Sequence, residues 1–119
     1  MKEDNPLRDK SYAFAVKSVK LCFSIQENRK EYLLKKQFMR SATSIAANVE
    51  EALGGQNEKD FLHKVSIAYK EARESHYWLR LMFDVEIISE EIKDEFIQNI
   101  EELLKILGSI QRTIKGRMK

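Results

Sequence analysis

The chain has 119 residues, a formal net charge of +2 and one cysteine, with 43% hydrophobic and 34% charged side chains. That length suits a single domain that buries roughly two thirds of its unfolded surface. A lone cysteine excludes an internal disulfide, and without a run of about 18 apolar residues no membrane-spanning helix is expected. The opening "MKEDNPLRDK" has no apolar segment, so no signal peptide is expected and a reducing cytoplasm is the expected setting.

With one proline and four glycines, long stretches are free to run as helix. Pro6 can open the first, over about residues 7–27. There Tyr12, Ala15, Val16, Val19 and Phe23 recur at helical spacing, and Phe14, Leu21 and Ile25 form a second apolar series that widens the stripe. Cys22 reads as a core residue of this helix. "QENRKE" is a polar connection. A second helix over 31–53 stops at Gly54–Gly55, where glycine accepts a left-handed cap. Asn57 then reads as an N-cap, with Asp60 as its reciprocal partner, for a third helix over 58–84. "EIISEE" breaks the chain again, with Ser89 as N-cap and Glu90 and Glu91 in the first turn. The fourth helix, over 90–115, repeats Ile92, Phe96, Ile100, Leu103, Leu107, Ile110 and Ile114, and a basic tail covers 112–119. Similar lengths and short connections predict an all-α, up-down-up-down antiparallel four-helix bundle, one domain over 1–119.

The second helix contains "QFMRSATSIAANVEEALGG", whose middle is nearly free of large side chains. At about 100° per residue, Arg40, Ser44, Asn48 and Glu51 form a polar row beside an aliphatic face of Leu34, Phe38, Ile45 and Val49. Small residues let another helix approach closely, and Arg, Asn and Glu supply directed hydrogen bonds. On the third helix, Phe61, Val65, Ala68, Ala72, Leu79 and Phe83 share one side. A second stripe holds Ile67, Glu71, Glu74, Trp78, Leu81 and Met82. The expectation is a structural polar network of Arg40, Ser44, Asn48 and Glu51 with Glu71 or Glu74, the arginine fork engaging a carboxylate. Breaking such a pair costs about 3–5 kcal/mol where it is buried, and under about 1 kcal/mol where it is ordinary surface.

These residues resemble a family. Gln37, Arg40, Ser44, Ile45, Asn48 and Glu51, then Glu71, Glu74, Tyr77 and Trp78, match motifs of bacterial four-helix-bundle proteins. That family was first noted in intervening sequences of large-subunit ribosomal RNA genes. The resemblance covers roughly Leu7 to Ile110, and Ala52 departs from it where many members have glycine. The family is similar to the accessory protein of diversity-generating retroelements, a pentameric barrel that binds nucleic acid and a reverse transcriptase. The resemblance therefore implies a homo-oligomer, a pentamer, with RNA, DNA or a partner protein as further ligands.

The residues themselves offer no enzyme site. Neither His63 nor His76 has a glutamate three residues before it, as di-iron bundles require, and Ser44 has no histidine at a local spacing that would activate it. No cofactor is expected. The two apolar stripes of the third helix suggest an oligomer interface at Tyr77, Trp78, Leu81 and Met82, complemented by Phe14, Leu21 and Ile25. Residues 1–40 hold ten Lys/Arg against five Asp/Glu, residues 41–102 hold six against fourteen, and residues 103–119 hold five and no acids. Solvated helix faces account for such blocks. So does a phosphate-binding surface built from Lys17, Lys20, Lys105, Arg112, Lys115, Arg117 and Lys119. Two functions stay open, and the basic ends and the resemblance favour the first: a non-enzymatic, homo-oligomeric electrostatic nucleic-acid adaptor, with an assembly module without a nucleic-acid role as the alternative.

Overall fold

In the computed structural model, which describes residues 5–26 and 29–118, the chain forms four α-helices. They are α1 (Pro6–Ser24), α2 (Arg29–Leu53), α3 (Glu58–Asp84) and α4 (Glu90–Arg117), and no strand occurs among the described residues. Each helix packs on its sequence neighbour, and α1 also meets α4, which closes the bundle. Cross-helix contacts run in opposite senses along each pair. Lys10 meets Glu102 while Lys17 meets Glu95. Lys64 meets Glu51 while Ser75 meets Ser41. Arg117 meets Glu58 while His76 meets Glu101. Neighbouring helices are thus antiparallel, in a body 47 × 32 × 23 Å.

The helix starts follow from local chemistry. Asn5 Oδ1 accepts from the Arg8 amide at 3.0 Å with Pro6 at the first helical turn. Asn57 Oδ1 accepts from the Asp60 amide at 2.9 Å, and Ser89 Oγ from the Ile92 amide at 3.2 Å. Asp60 does not return the bond, so the expected reciprocal cap is one-sided. α1 ends at Ser24, short of the expected 27, because Ile25 turns extended. α4 runs on to Arg117, so most of the expected basic tail is helical; Lys119 lies outside the described residues.

The core corrects the reading of α1. Leu7, Ser11, Phe14, Ser18, Leu21 and Cys22 face inward, whereas Tyr12, Val16 and Phe23 are exposed. Phe14 joins Phe38 of α2 and Phe96 of α4 in an edge-to-face cluster, with centroids 6.0–6.5 Å apart. Leu79, Met82, Ile100, Leu103 and Leu107 fill the interior beside it. Between α2 and α3 the packing residues are small: Ala42, Ala68 and Ala72 are fully buried, and the Ser41 and Ser75 hydroxyls share a buried hydrogen bond of 2.8 Å.

Neither glycine after α2 is left-handed, contrary to expectation. Gly55 is needed for room instead. A Cβ there would lie 3.1 Å from the Ala52 carbonyl oxygen and 3.4 Å from Asp60 Cβ. The left-handed position falls on Glu86, φ 67°, in the turn after α3. The Ile87 amide donates to the Met82 carbonyl at 2.8 Å and the Glu86 amide to the Phe83 carbonyl at 3.0 Å, the Schellman pattern of a helix end. Glu86 is exposed and its side chain makes no ion pair or hydrogen bond. Glu86→Gly should therefore raise the urea unfolding free energy by about 0.5–1 kcal/mol, while β-branched Glu86→Val should lower it.

Candidate functional site

The polar cluster between α2 and α3 forms around Arg40. Its Nη2 donates to Glu74 Oε2 at 2.5 Å, and Nη1 donates to Glu71 Oε2 at 3.4 Å. Nη1 also lies 3.2 Å from Glu71 Oε1, but without hydrogen-bond alignment, so that buried oxygen accepts no bond. Glu71 and Glu74 sit one turn apart on α3, so one guanidinium spans both. Trp78 Nε1, a further turn along, donates to Glu74 Oε2 at 2.9 Å and fixes that carboxylate from the other side. The bond from Arg40, then that from Trp78, holds the Glu74 carboxyl below the usual range, outweighing partial desolvation. Glu74 first, then Glu71, raises the Arg40 guanidinium above its ordinary value.

The rest of the expected row does not join this cluster. Asn48 Nδ2 donates to the Ser44 carbonyl of its own helix at 2.8 Å, and Glu51 pairs with Lys64 at 2.7 Å. Ser44 is half-buried and enters only through that carbonyl. The buried polar contact between these helices belongs to Ser41 and Ser75, which the periodicity of charged and amide residues did not single out.

The expected interface residues divide. Phe14, Leu21 and Met82 are buried in the protomer's own core, because the inward rows of α1 and α3 run through them. Ile25 and Trp78 are half-buried and pack on that core, Leu81 is half-buried, and Tyr77 is exposed. The large apolar side chains that do face outward near α1 are Tyr12 at 63%, Phe23 at 79%, Tyr32 and Leu33. Phe23 and Tyr32 flank a groove of about 250 Å³ floored by Cys22 and Met39. Burial pushes the Cys22 thiol up to about 11, against a smaller opposing effect of Lys35, so the residue is an inert core group.

The expected phosphate-binding cations also divide. Lys17 pairs with Glu95, donates to Asn99 Oδ1 at 2.7 Å and lies over the Phe96 ring. Arg117 is held by Glu58. Lys20, Lys105, Arg112 and Lys115 are exposed and form no ion pair. Among the described residues no group of three or more His, Cys, Asp or Glu is placed to hold a metal ion, and no helix is long and apolar enough to cross a membrane.

This arrangement matches known proteins. The family described as 23S rRNA-intervening sequence protein matches residues 3–109. The chain belongs to that family. Among solved structures, it is similar to a protein of unknown function from the S23 ribosomal protein family of Bacteroides thetaiotaomicron. The two are 41% identical, with a TM-score of 0.86, over 91% of this chain and 96% of that one. Among curated proteins no match is found.

The Arg40 side chain is 47% exposed, so solvent screens its two ion pairs. Arg40→Ala should lower the urea unfolding free energy at neutral pH by about 1 kcal/mol, the upper end for exposed pairs, rather than the 3–5 kcal/mol of a buried one. Because Glu74 titrates lower in the folded state, its contribution is present above the unfolded carboxyl range and disappears as pH falls through the depressed value. The difference between wild type and Arg40→Ala should therefore shrink in unfolding curves taken near pH 3.

Proposed function

We propose that the protein is a non-enzymatic, cytoplasmic assembly module, a bundle that associates with further copies of itself through the outer face of α1 and the first turns of α2. The observation that carries this reading is the apolar surface of Tyr12, Val16, Phe23, Tyr32 and Leu33, all exposed. Tyr12, Val16 and Phe23 recur on one side of α1, and Phe23 and Tyr32 line one groove. These apolar side chains are thus grouped rather than scattered singly, an arrangement that a monomer rarely leaves in water. A contact between this face and an unlike face of the next copy closes into a ring or extends as a filament. A pentameric ring is the form proposed here.

A second reading, electrostatic binding of nucleic acid, is favoured by the unpaired Lys20, Lys105, Arg112 and Lys115 and by a family description that names an rRNA intervening sequence. The two are compatible, since copies of one weak cationic surface on a ring bind a long polyanion by avidity.

Light scattering at micromolar concentration tests the assembly. A mass near five times 14.0 kDa is expected, and Tyr12→Ser/Phe23→Ser should bring it down to one chain. A wild-type mass near 14.0 kDa would sink the proposal, and a dimer would refute only the ring. For the second reading, RNA affinity should fall steeply on a logarithmic salt axis. No binding of RNA or DNA at about 50 mM salt would remove it.

A further inference from the structure

Helix α3 faces solvent with a composition unlike that of its neighbours. Between Phe61 and Phe83 its exposed residues are His63, Lys70, Arg73, Tyr77 and Arg80, with no carboxylate among them. Lys59, also exposed, extends the row at the N-terminal end. At about 100° per residue, Lys59, Lys70, Arg73, Tyr77 and Arg80 fall within roughly 80° of one another and span roughly 30 Å. Lys59, Lys70 and Arg73 make no ion pair or hydrogen bond, and Arg80 only leans over the Tyr77 ring at 5.9 Å.

Several of the bundle's nearby acids are occupied elsewhere, whereas exposed Asp60 and Asp84, at the two ends of α3, form no ion pair. Glu71 and Glu74 are turned aside to Arg40, and Glu58 holds Arg117. On α4, Glu95 pairs with Lys17, Glu102 with Lys10 and Asp94 with Lys93, and His76 Nε2 lies 3.5 Å from Glu101. A second copy presenting the middle of α4 would bring mostly acids that already have partners, only Glu90 and Glu91 at its N-terminal end being unpaired, which favours another polyanion as the complement to the α3 row. Tyr77 narrows the choice. It is 48% exposed, and its ring is braced at 4.9 Å by the edge contact with Trp78. Duplex nucleic acid shows a side chain on its flank chiefly phosphates and sugars, whereas an unpaired base has a face free to stack.

We propose that the outer face of α3 binds single-stranded nucleic acid, with Lys70, Arg73 and Arg80 neutralising successive phosphates and Tyr77 stacking on a base. This rests on the nucleic-acid reading above, but moves it from the chain ends to the middle of the bundle.

The test is fluorescence anisotropy of the full chain with a labelled oligouridylate of about 20 nucleotides, from about 50 to 300 mM salt. Lys70→Gln/Arg73→Gln/Arg80→Gln should weaken binding by about tenfold or more and flatten the logarithmic salt slope by about 2. Tyr77→Ser should weaken it several-fold and leave the slope unchanged. Arg112→Gln/Lys115→Gln, which removes cations of the chain-end surface, should weaken binding less than the α3 variant does. All these positions are exposed, and circular dichroism melts verify that each variant folds.

Loss in the Arg112/Lys115 variant with wild-type binding by the α3 variant would overturn the inference and leave the nucleic-acid reading standing. Absence of wild-type binding at about 50 mM salt would overturn both. Equal affinity for a duplex, with Tyr77→Ser neutral, would refute the stacking and single-strand claim. A drop in assembled mass for the α3 variant would identify the face as a contact between copies and overturn the inference.

Discussion

The close approach of α2 to α3 is the constraint on which the rest of the bundle depends. Ser41, Ala42, Ala68, Ala72 and Ser75 leave no exposed surface, and the hydroxyl bond at 2.8 Å closes the seam where larger side chains would hold the helices apart. With the helices this close, Arg40, leaving α2 at the edge of the seam, reaches Glu71 and Glu74 together. The ion pairs decorate the contact; the small side chains create it. Close packing of this kind is intolerant of volume, because the interior already fills its space and an added methylene must displace backbone.

Much of this was legible in the sequence where apolar spacing was unambiguous. On α4 the expected core series has Phe96, Ile100, Leu103, Leu107 and Ile114 buried, with Ile92 and Ile110 half-buried against the core. The same reading failed on α1 for a physical reason. The inward positions recur correctly at 7, 11, 14, 18 and 21, but Ser11 and Ser18 occupy two of them, while Tyr12, Val16 and Phe23 stand on the outside. Hydrophobicity alone points to the larger side chains. A serine hydroxyl can be buried in a helix where it bonds within its own chain, as Ser11 Oγ does to the Arg8 carbonyl at 3.1 Å, whereas Ser18 Oγ is buried without a partner. Caps were read correctly at Asn57 and Ser89, where a side-chain oxygen advertises its role. The turn at Glu86 was not, because nothing about glutamate marks a left-handed residue.

The seam between α1 and α4 has another character. Lys10 donates to Glu102 at 2.5 Å, and Lys17 engages both Glu95 and Asn99 across it. Above Phe14 and Leu103 a polar clasp takes the place of interlocking side chains. Exposed pairs of this sort contribute little net stability, so α1 is held chiefly by its contact with α2 and by the three-phenylalanine cluster. It is also the helix whose outer face is apolar. Covering that face with another molecule would add hydrophobic contact on the side of α1 that now meets water.

Charge shows why a block along the chain is a poor guide to a surface. Residues 103–119 are wholly basic apart from their neutral members, yet Arg117 is neutralised by Glu58 from a distant part of the sequence. Residues 41–102 have six cations against fourteen acids and read as acidic throughout. Within that block the helical repeat separates the signs. Glu71 and Glu74 turn towards Arg40, whereas Lys70, Arg73 and Arg80 come together on the adjoining, exposed side. A ligand meets the face and not the segment, and at an ionic strength where fields decay within about 8 Å it responds to charges on its own side of the helix. An acidic segment can thus present a cationic surface once its carboxylates have been drawn into contacts within the bundle.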